Sequence, residues 1–224
     1  MHIPDGFLSL PIALITWGIA LIVIVYSLWQ LRDIDERQLS YMGVLGAVIF
    51  GAQMLNFPIA SGTSGHLSGG ALTAIIVGPF ASVIVLTVVL VIQAFLFADG
   101  GVTTLGANIL NMGVIGAFMG YYTKEILMKI QDNDNMFYVA AFLAGFLGLF
   151  LSAIAAAIEL GLSGTFDMAS ALIAISFYHL IIGIGEGAIT AAILAYLARV
   201  DFPVGLPSKE LPAAFVGTSP QPST

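Results

Sequence analysis

The sequence predicts an all-α polytopic membrane protein, a seven-helix bundle with its N-terminus outside, and three observations carry that prediction. Hydrophobic residues make up 59% of the chain, charged residues only 8%, and mean hydropathy is +1.03, whereas soluble domains carry about 25% charged residues. The 224 residues divide into apolar stretches of membrane-crossing length, about 20 residues each. Threaded as seven helices, these stretches leave every lysine and arginine on one side.

The elements follow in order. Residues 10–31 form the first span, ended by Arg32 and an acidic cluster. Residues 41–57 form the second, closed by Pro58, and a polar glycine-rich loop over 60–66 follows. Residues 69–97 are apolar but interrupted at Gly78-Pro79, where proline suits a helix start and breaks a helix interior. Residues 105–130, 137–162 and 169–199 complete the set. The 25 glycines suit membrane helices, which associate through small residues. Residues 1–199 read as a single transmembrane domain. The tail over 200–224 holds five of the nine prolines with serine and threonine, and is expected to be cytoplasmic and disordered.

Charge decides how residues 69–97 are threaded. As two helices, with the N-terminus outside, they place Arg32, Arg37, Lys124, Lys129, Arg199 and Lys209 all on the cytoplasmic side. As one span they leave four of those six outside, or two if the N-terminus is turned inward. The positive-inside rule selects the two-helix threading. The outer face then carries Asp5, Asp99 and Asp167, with Glu159 nearby and no basic side chain, so it attracts cations. Met1 to Leu8 lack the basic region of a cleavable signal peptide, and His2 is bulky for the enzyme that trims initiator methionine. The mature chain is expected to begin at Met1 in a plasma (inner) membrane.

The outer face also gathers metal-ligating groups. The Met1 amine, the His2 backbone nitrogen and the His2 imidazole can close small chelate rings on one ion, and His66 supplies a fourth nitrogen from the loop. With the amide deprotonated, the set favours square-planar or tetragonal Ni(II) or Cu(II), with Co(II) also accommodated; zinc prefers a tetrahedral site. The plainer reading makes His2 a frayed terminal residue and His66 a solvated loop histidine. Ile3-Pro4 stiffens the exit of the chain. Ser61, Thr63, Ser64, Asp99, Asn108 and Asn111 are candidates to orient the ligating rings. Asn108 and Asn111, three apart at a helix start, are expected to share a face, which would equally suit helix-to-helix hydrogen bonding. His179 and Glu186, seven apart on the last helix, are expected about 10 Å from each other and some 15 Å inward of the metal ligands; ionisable groups at that depth are functional candidates, but a buried structural pair with a polar partner on a neighbouring helix is the expected role. With no cysteine, thiolate metal sites and disulfides are excluded.

Taken together, Met1-His2-Ile3-Pro4-Asp5-Gly6-Phe7-Leu8, Asn56-Phe57-Pro58, Gly62-Thr63-Ser64-Gly65-His66-Leu67, Ala98-Asp99-Gly100-Gly101 and Gly106-Ala107-Asn108 resemble the CbiM/NikM family. These are substrate-capturing subunits of energy-coupling-factor transporters for cobalt and nickel. The resemblance covers Met1 to about Arg199. It implies a six-helix substrate-binding core with an added N-terminal helix, and a metal held by Met1, His2 and His66. It also implies Co(II) or Ni(II) as transported substrate, supplied to cobalamin biosynthesis or to nickel enzymes. Its implied partners are a transmembrane coupling subunit, an ATPase subunit and a small accessory membrane subunit, with no nucleic acid. The stripe Gly43, Ala47 and Gly51 on the second span would dock the coupling subunit, unless it packs inside the chain, and other small-residue pairs such as Gly116 with Gly120 could serve equally well.

Other function classes fit less well. A membrane metalloprotease would need a His-Glu-x-x-His helix, which is missing from the sequence, so the chain is not read as an enzyme. A self-sufficient channel or secondary transporter would show matched broken helices in two halves, and only Gly78-Pro79 breaks a helix. Without Gly-x-x-x-x-Gly-Lys-Ser/Thr, ATP is not bound here through that loop.

Overall fold

The computed structural model describes residues 1–59, 63–200 and 202. Ser61 and the tail beyond 202 therefore lie outside the described residues. Among those described there are seven helices and one short hairpin. Helix α1 (Leu10–Gln30) has Pro11 in its first turn and buries Ala13, Thr16, Ala20 and Ser27, with Trp17 and Ile24 packed beside them; most of its remaining surface is apolar and exposed, as suits a lipid-facing helix. Helix α2 (Glu36–Gln53) is capped by Asp35, which accepts a bond from Gln38 N at 2.7 Å. It therefore begins five residues earlier than the apolar run at Tyr41, because Glu36 to Ser40 make a polar first turn. It also ends before Phe57. Pro58 disfavours helix in the residue ahead of it, and the chain turns instead into an antiparallel hairpin, β1 (Phe57–Ile59) with β2 (Thr63–Gly65), registering Pro58 against Ser64.

Helices α3 (Gly70–Val77) and α4 (Pro79–Leu96) meet at Gly78, whose φ of 90° admits the break ahead of Pro79, as the sequence predicts. Val77 O accepts a bond from Gln38 Nε2 at 3.2 Å, so the break sits level with the start of α2. Eight residues of helix rise only about 12 Å. The rest of the descent is made by the extended chain after β2, which carries His66 into the bundle. Helix α5 covers 105–130: α-helical over Leu105–Asn108, π-helical over Ile109–Ile115 and α-helical again over Gly116–Ile130. Helices α6 (Asp134–Leu162) and α7 (Met168–Arg199) are capped by Asn133 and Asp167.

Glycines set the closest approaches. A Cβ on Gly120 would lie 2.3 Å from the Ala71 Cβ, and one on Gly187 2.6 Å from Phe142 O. Gly116 and Gly120 are thus core contacts, whereas Gly43, Ala47 and Gly51 are exposed. Helices α1, α4, α6 and α7 are each long and apolar enough to cross a membrane. The helix directions gather Arg32, Arg37, Lys124, Lys129 and Arg199 at one end. At the other, Asp5 bonds Val102 and Thr103, and Thr165 bonds Phe7 O.

Candidate metal centre

The first five residues are threaded into the outer end of the bundle. Met1 and Ile3 are fully buried beside Leu90, Leu105, Ile109 and Ile175. Polar contacts fix the path. The Asn108 side chain brackets the Ile3 peptide, accepting from Ile3 N at 2.8 Å and donating to Ile3 O at 3.1 Å. Gly101 N and Thr104 Oγ1 also donate to Ile3 O. The Asp5 carboxylate accepts from Val102 N, Thr103 N and Thr103 Oγ1 at 3.1, 2.7 and 2.5 Å, and these bonds hold it below the usual carboxylate range.

This path sets the Met1 amine 2.9 Å from His66 Nε2 and in contact with Ser64 O and Oγ. The His2 amide faces Ser64 Oγ at 3.3 Å, and the His2 and His66 rings stack with centroids 4.4 Å apart. His66 Nδ1–H donates to Leu67 O at 2.8 Å, leaving the Nε2 lone pair turned to the Met1 amine. His2 Nε2–H donates to Gln93 Oε1 at 3.1 Å, so its Nδ1 has no hydrogen-bond partner and lies 3.3 Å from Asp99 Oδ1. Met1 N, His2 N, His2 Nδ1 and His66 Nε2 are therefore brought to one place.

Burial keeps the amine and the two imidazoles neutral, while the His2 amide still carries its proton. Burial pushes the Met1 amine down to about 4 and His2 down to about 3, with Asp99 opposing the first shift and the amine reinforcing the second. Burial, the Met1 amine and His2 also hold His66 well below its ordinary range. A neutral amine and neutral imidazoles are what a metal ion binds, since no proton has to be displaced from them. Asp99 is pushed up, chiefly by its own partial burial. Among the described residues no three His, Cys, Asp or Glu side chains cluster as a metal site; the donors gathered here include two main-chain nitrogens.

Other candidates separate. Ser64, Asp99 and Asn108 touch Met1, His2 or Ile3, but Asn111 points away and donates to Glu159 Oε2 at 2.7 Å. The shared face expected of Asn108 and Asn111 is undone by the π turn that starts at Ile109. His179 also differs from expectation. It lies within electrostatic reach of both His66 and the Met1 amine rather than well inward of them, and its Nδ1 bonds Ile175 O on its own helix. Glu186 takes its polar partners from a neighbouring element, as expected. Its carboxylate accepts Ser68 N and Gly69 N at 2.7 and 2.9 Å, anchoring the loop that carries His66, and Gln53 Nε2 holds Ser68 O from the other side at 2.6 Å. Gln93 is not among the candidates named from the sequence, although a buried glutamine in the last turn of an otherwise apolar helix is a signal of function.

The profile of the CbiM family, described as the cobalt uptake substrate-specific transmembrane region, matches residues 2–203. A Sorangium cellulosum relative named cobalt transport protein CbiM is 35% identical, covering 88% of this chain and 91% of its own. A Rhodobacter capsulatus fused nickel transport protein NikMN is 33% identical, covering 96% of this chain. The chain spans only 65% of the length of a 42%-identical Archaeoglobus fulgidus relative of the fused NikMN type. Two crystal structures of transition metal transporters, one of them truncated, align with TM-scores of 0.85 and 0.84 at 33% and 32% identity, covering 90% and 89% of this chain and 94% and 99% of those chains.

Proposed function

The chain belongs to the CbiM family of cobalt-uptake transmembrane proteins, and from that premise we propose that it captures Co(II) or Ni(II) on the outer face of the membrane. The ion is held by Met1 N, His2 N, His2 Nδ1 and His66 Nε2, with the His2 amide proton leaving to solvent as the ion binds. The observation that carries this reading is the buried Met1 amine 2.9 Å from His66 Nε2. Four nitrogens suit both ions, so the donor set is shared between cobalt and nickel.

Inward delivery would depend on a separate transmembrane coupling subunit and an ATPase subunit, with a small accessory membrane subunit as a further partner. What supports a docking face is the groove of ≈ 780 Å³ between α2 and α4, lined by Gly43, Ala47, Phe50, Val85 and Val88 among other apolar residues. Its floor of small residues permits close backbone approach by another helix.

Calorimetric titration of the purified chain with NiCl2 and CoCl2 tests the site. His2→Ala and His66→Ala should each lose most binding, and residues added ahead of Met1 should abolish it while the protein stays folded. Tight binding in the extended protein would refute the donor set.

A further inference from the structure

The proposed donors are enclosed. Met1, His2 and His66 are 1%, 3% and 2% exposed, so an ion from outside meets some other group first. Asp99 is placed for that role. Its side chain keeps 16% exposure, and its two carboxylate oxygens face opposite ways. Oδ1 lies 3.3 Å from His2 Nδ1, a fully buried nitrogen with no hydrogen-bond partner. Oδ2 accepts from the exposed Asn56 Nδ2 at 2.8 Å, and Asn56 leads into the hairpin that bears Ser64 and, just beyond it, His66. One carboxylate therefore spans the two loops that cover the site.

The backbone is strained to hold it there. Ala98 has φ 53° and is the one non-glycine residue with positive φ among those described, a left-handed conformation that brings its Cβ too close to the following carbonyl oxygen. Asp99 N donates to Gln93 O at 3.1 Å, on the same residue whose side chain fixes the His2 ring. Strain of this kind gathers at ligand clamps and switches.

Resting on the reading of the site given above, we infer that Asp99 receives the divalent cation from outside and passes it to His2 Nδ1, and that the Asn56–Asp99 hydrogen bond is the latch over the site. A carboxylate oxygen is a hard ligand that replaces one water of a hydrated divalent ion, whereas the nitrogen set inside is the stronger trap for Co(II) or Ni(II). The order is outer oxygen first, inner nitrogens second. Because the outer face carries no basic side chain among the described residues, the ion is also drawn towards this carboxylate before contact.

Stopped-flow mixing of the detergent-solubilised full chain with NiCl2 or CoCl2, read with a metallochromic indicator, separates rates from equilibrium. Asp99→Asn should slow association about tenfold or more and flatten its salt dependence. Asn56→Ala should raise association and dissociation rates together, at least threefold each, with the dissociation constant within about twofold. Asp167→Asn is the control: it removes the same charge from the same face and retains a good helix cap, so it should slow association far less than Asp99→Asn does and leave dissociation unchanged. Asp99→Glu, which keeps the carboxylate, covers the case in which Asp99→Asn does not fold and should associate faster than any uncharged variant that does. Association rates within twofold of wild type in Asp99→Asn, or a loss of affinity arising wholly from faster dissociation, would overturn the inference while leaving the nitrogen site standing. If wild-type protein binds neither ion, the site reading and this inference fall together.

Discussion

Gln93→Leu should weaken metal binding through the tautomer of His2 without removing any ligand. Gln93 Oε1 accepts from His2 Nε2–H at 3.1 Å, and this bond keeps the proton off Nδ1, the nitrogen proposed to chelate. Leucine has nearly the same volume and no acceptor. The imidazole is then left with a bare buried Nε2–H, or it shifts its proton to Nδ1, where Asp99 Oδ1 waits at 3.3 Å. A buried donor without a partner costs about 1–3 kcal/mol, which at about 1.4 kcal/mol per decade raises the dissociation constant about 5- to 150-fold. Outer partners of metal-bound histidines contribute in the same range, about 10–100-fold. Gln93 Nε2 itself has no partner, so its loss adds nothing on that side. Gln93→Glu keeps an acceptor and should bind far better than the leucine variant. Competition against a chelator of known affinity, alongside thermal melting to confirm folding, measures all three proteins. A folded Gln93→Leu with unchanged affinity would refute the argument that Gln93 sets the ring.

Ala47→Trp should preserve nickel and cobalt affinity yet prevent co-purification with the coupling subunit, because Ala47 is exposed on α2; loss of metal binding and expression together would place it in the chain's own core. Gly101→Ala should release the N-terminal segment, since its Cβ would lie 2.3 Å from Asp5 N, and limited proteolysis together with lost metal affinity would report this. The apo protein should lose thermal stability as pH falls from 8 towards 4. The Met1 amine and His2 titrate at about 4 and 3 when folded against 8.0 and 6.5 otherwise, so the unfolded chain binds protons that the folded chain does not, and stability rises with pH across that window. A melting midpoint that climbs on acidification would contradict their neutral burial.

The apolar runs, the break at Gly78-Pro79 and the one-sided basic residues made the helices legible, because hydropathy, proline geometry and charge act locally. The ends of α2 were less so: its polar first turn is helical by virtue of the Asp35 cap rather than apolarity, and its C-terminus yields to Pro58 and a hairpin. For the site, Met1, His2 and His66 could be named from donor chemistry, and the structure brings them together. Of the two roles open to Asn111, the structure shows the helix-to-helix bond, to Glu159; spacing alone could not separate it from Asn108, because Ile109–Ile115 departs from 3.6 residues per turn. The depth of His179 relative to the site is not legible along its own helix, because the His66 loop descends to meet it. Gln93 and the Glu186 anchor are tertiary contacts with no local spacing to betray them.

The seating of Met1 to Asp5 has a consequence for how the protein is made. These residues are synthesised well before the groups that hold them, which lie far along the chain: Ile3 is bonded to Asn108, 105 residues away, and Phe7 to Thr165, 158 residues away. The N-terminus has to cross the membrane early, remain unplaced while five further helices are inserted, and then thread into a slot they complete. Contacts of such sequence separation close slowly. A chain arrested just before Asn108 already holds every proposed nitrogen donor and has nowhere to seat them.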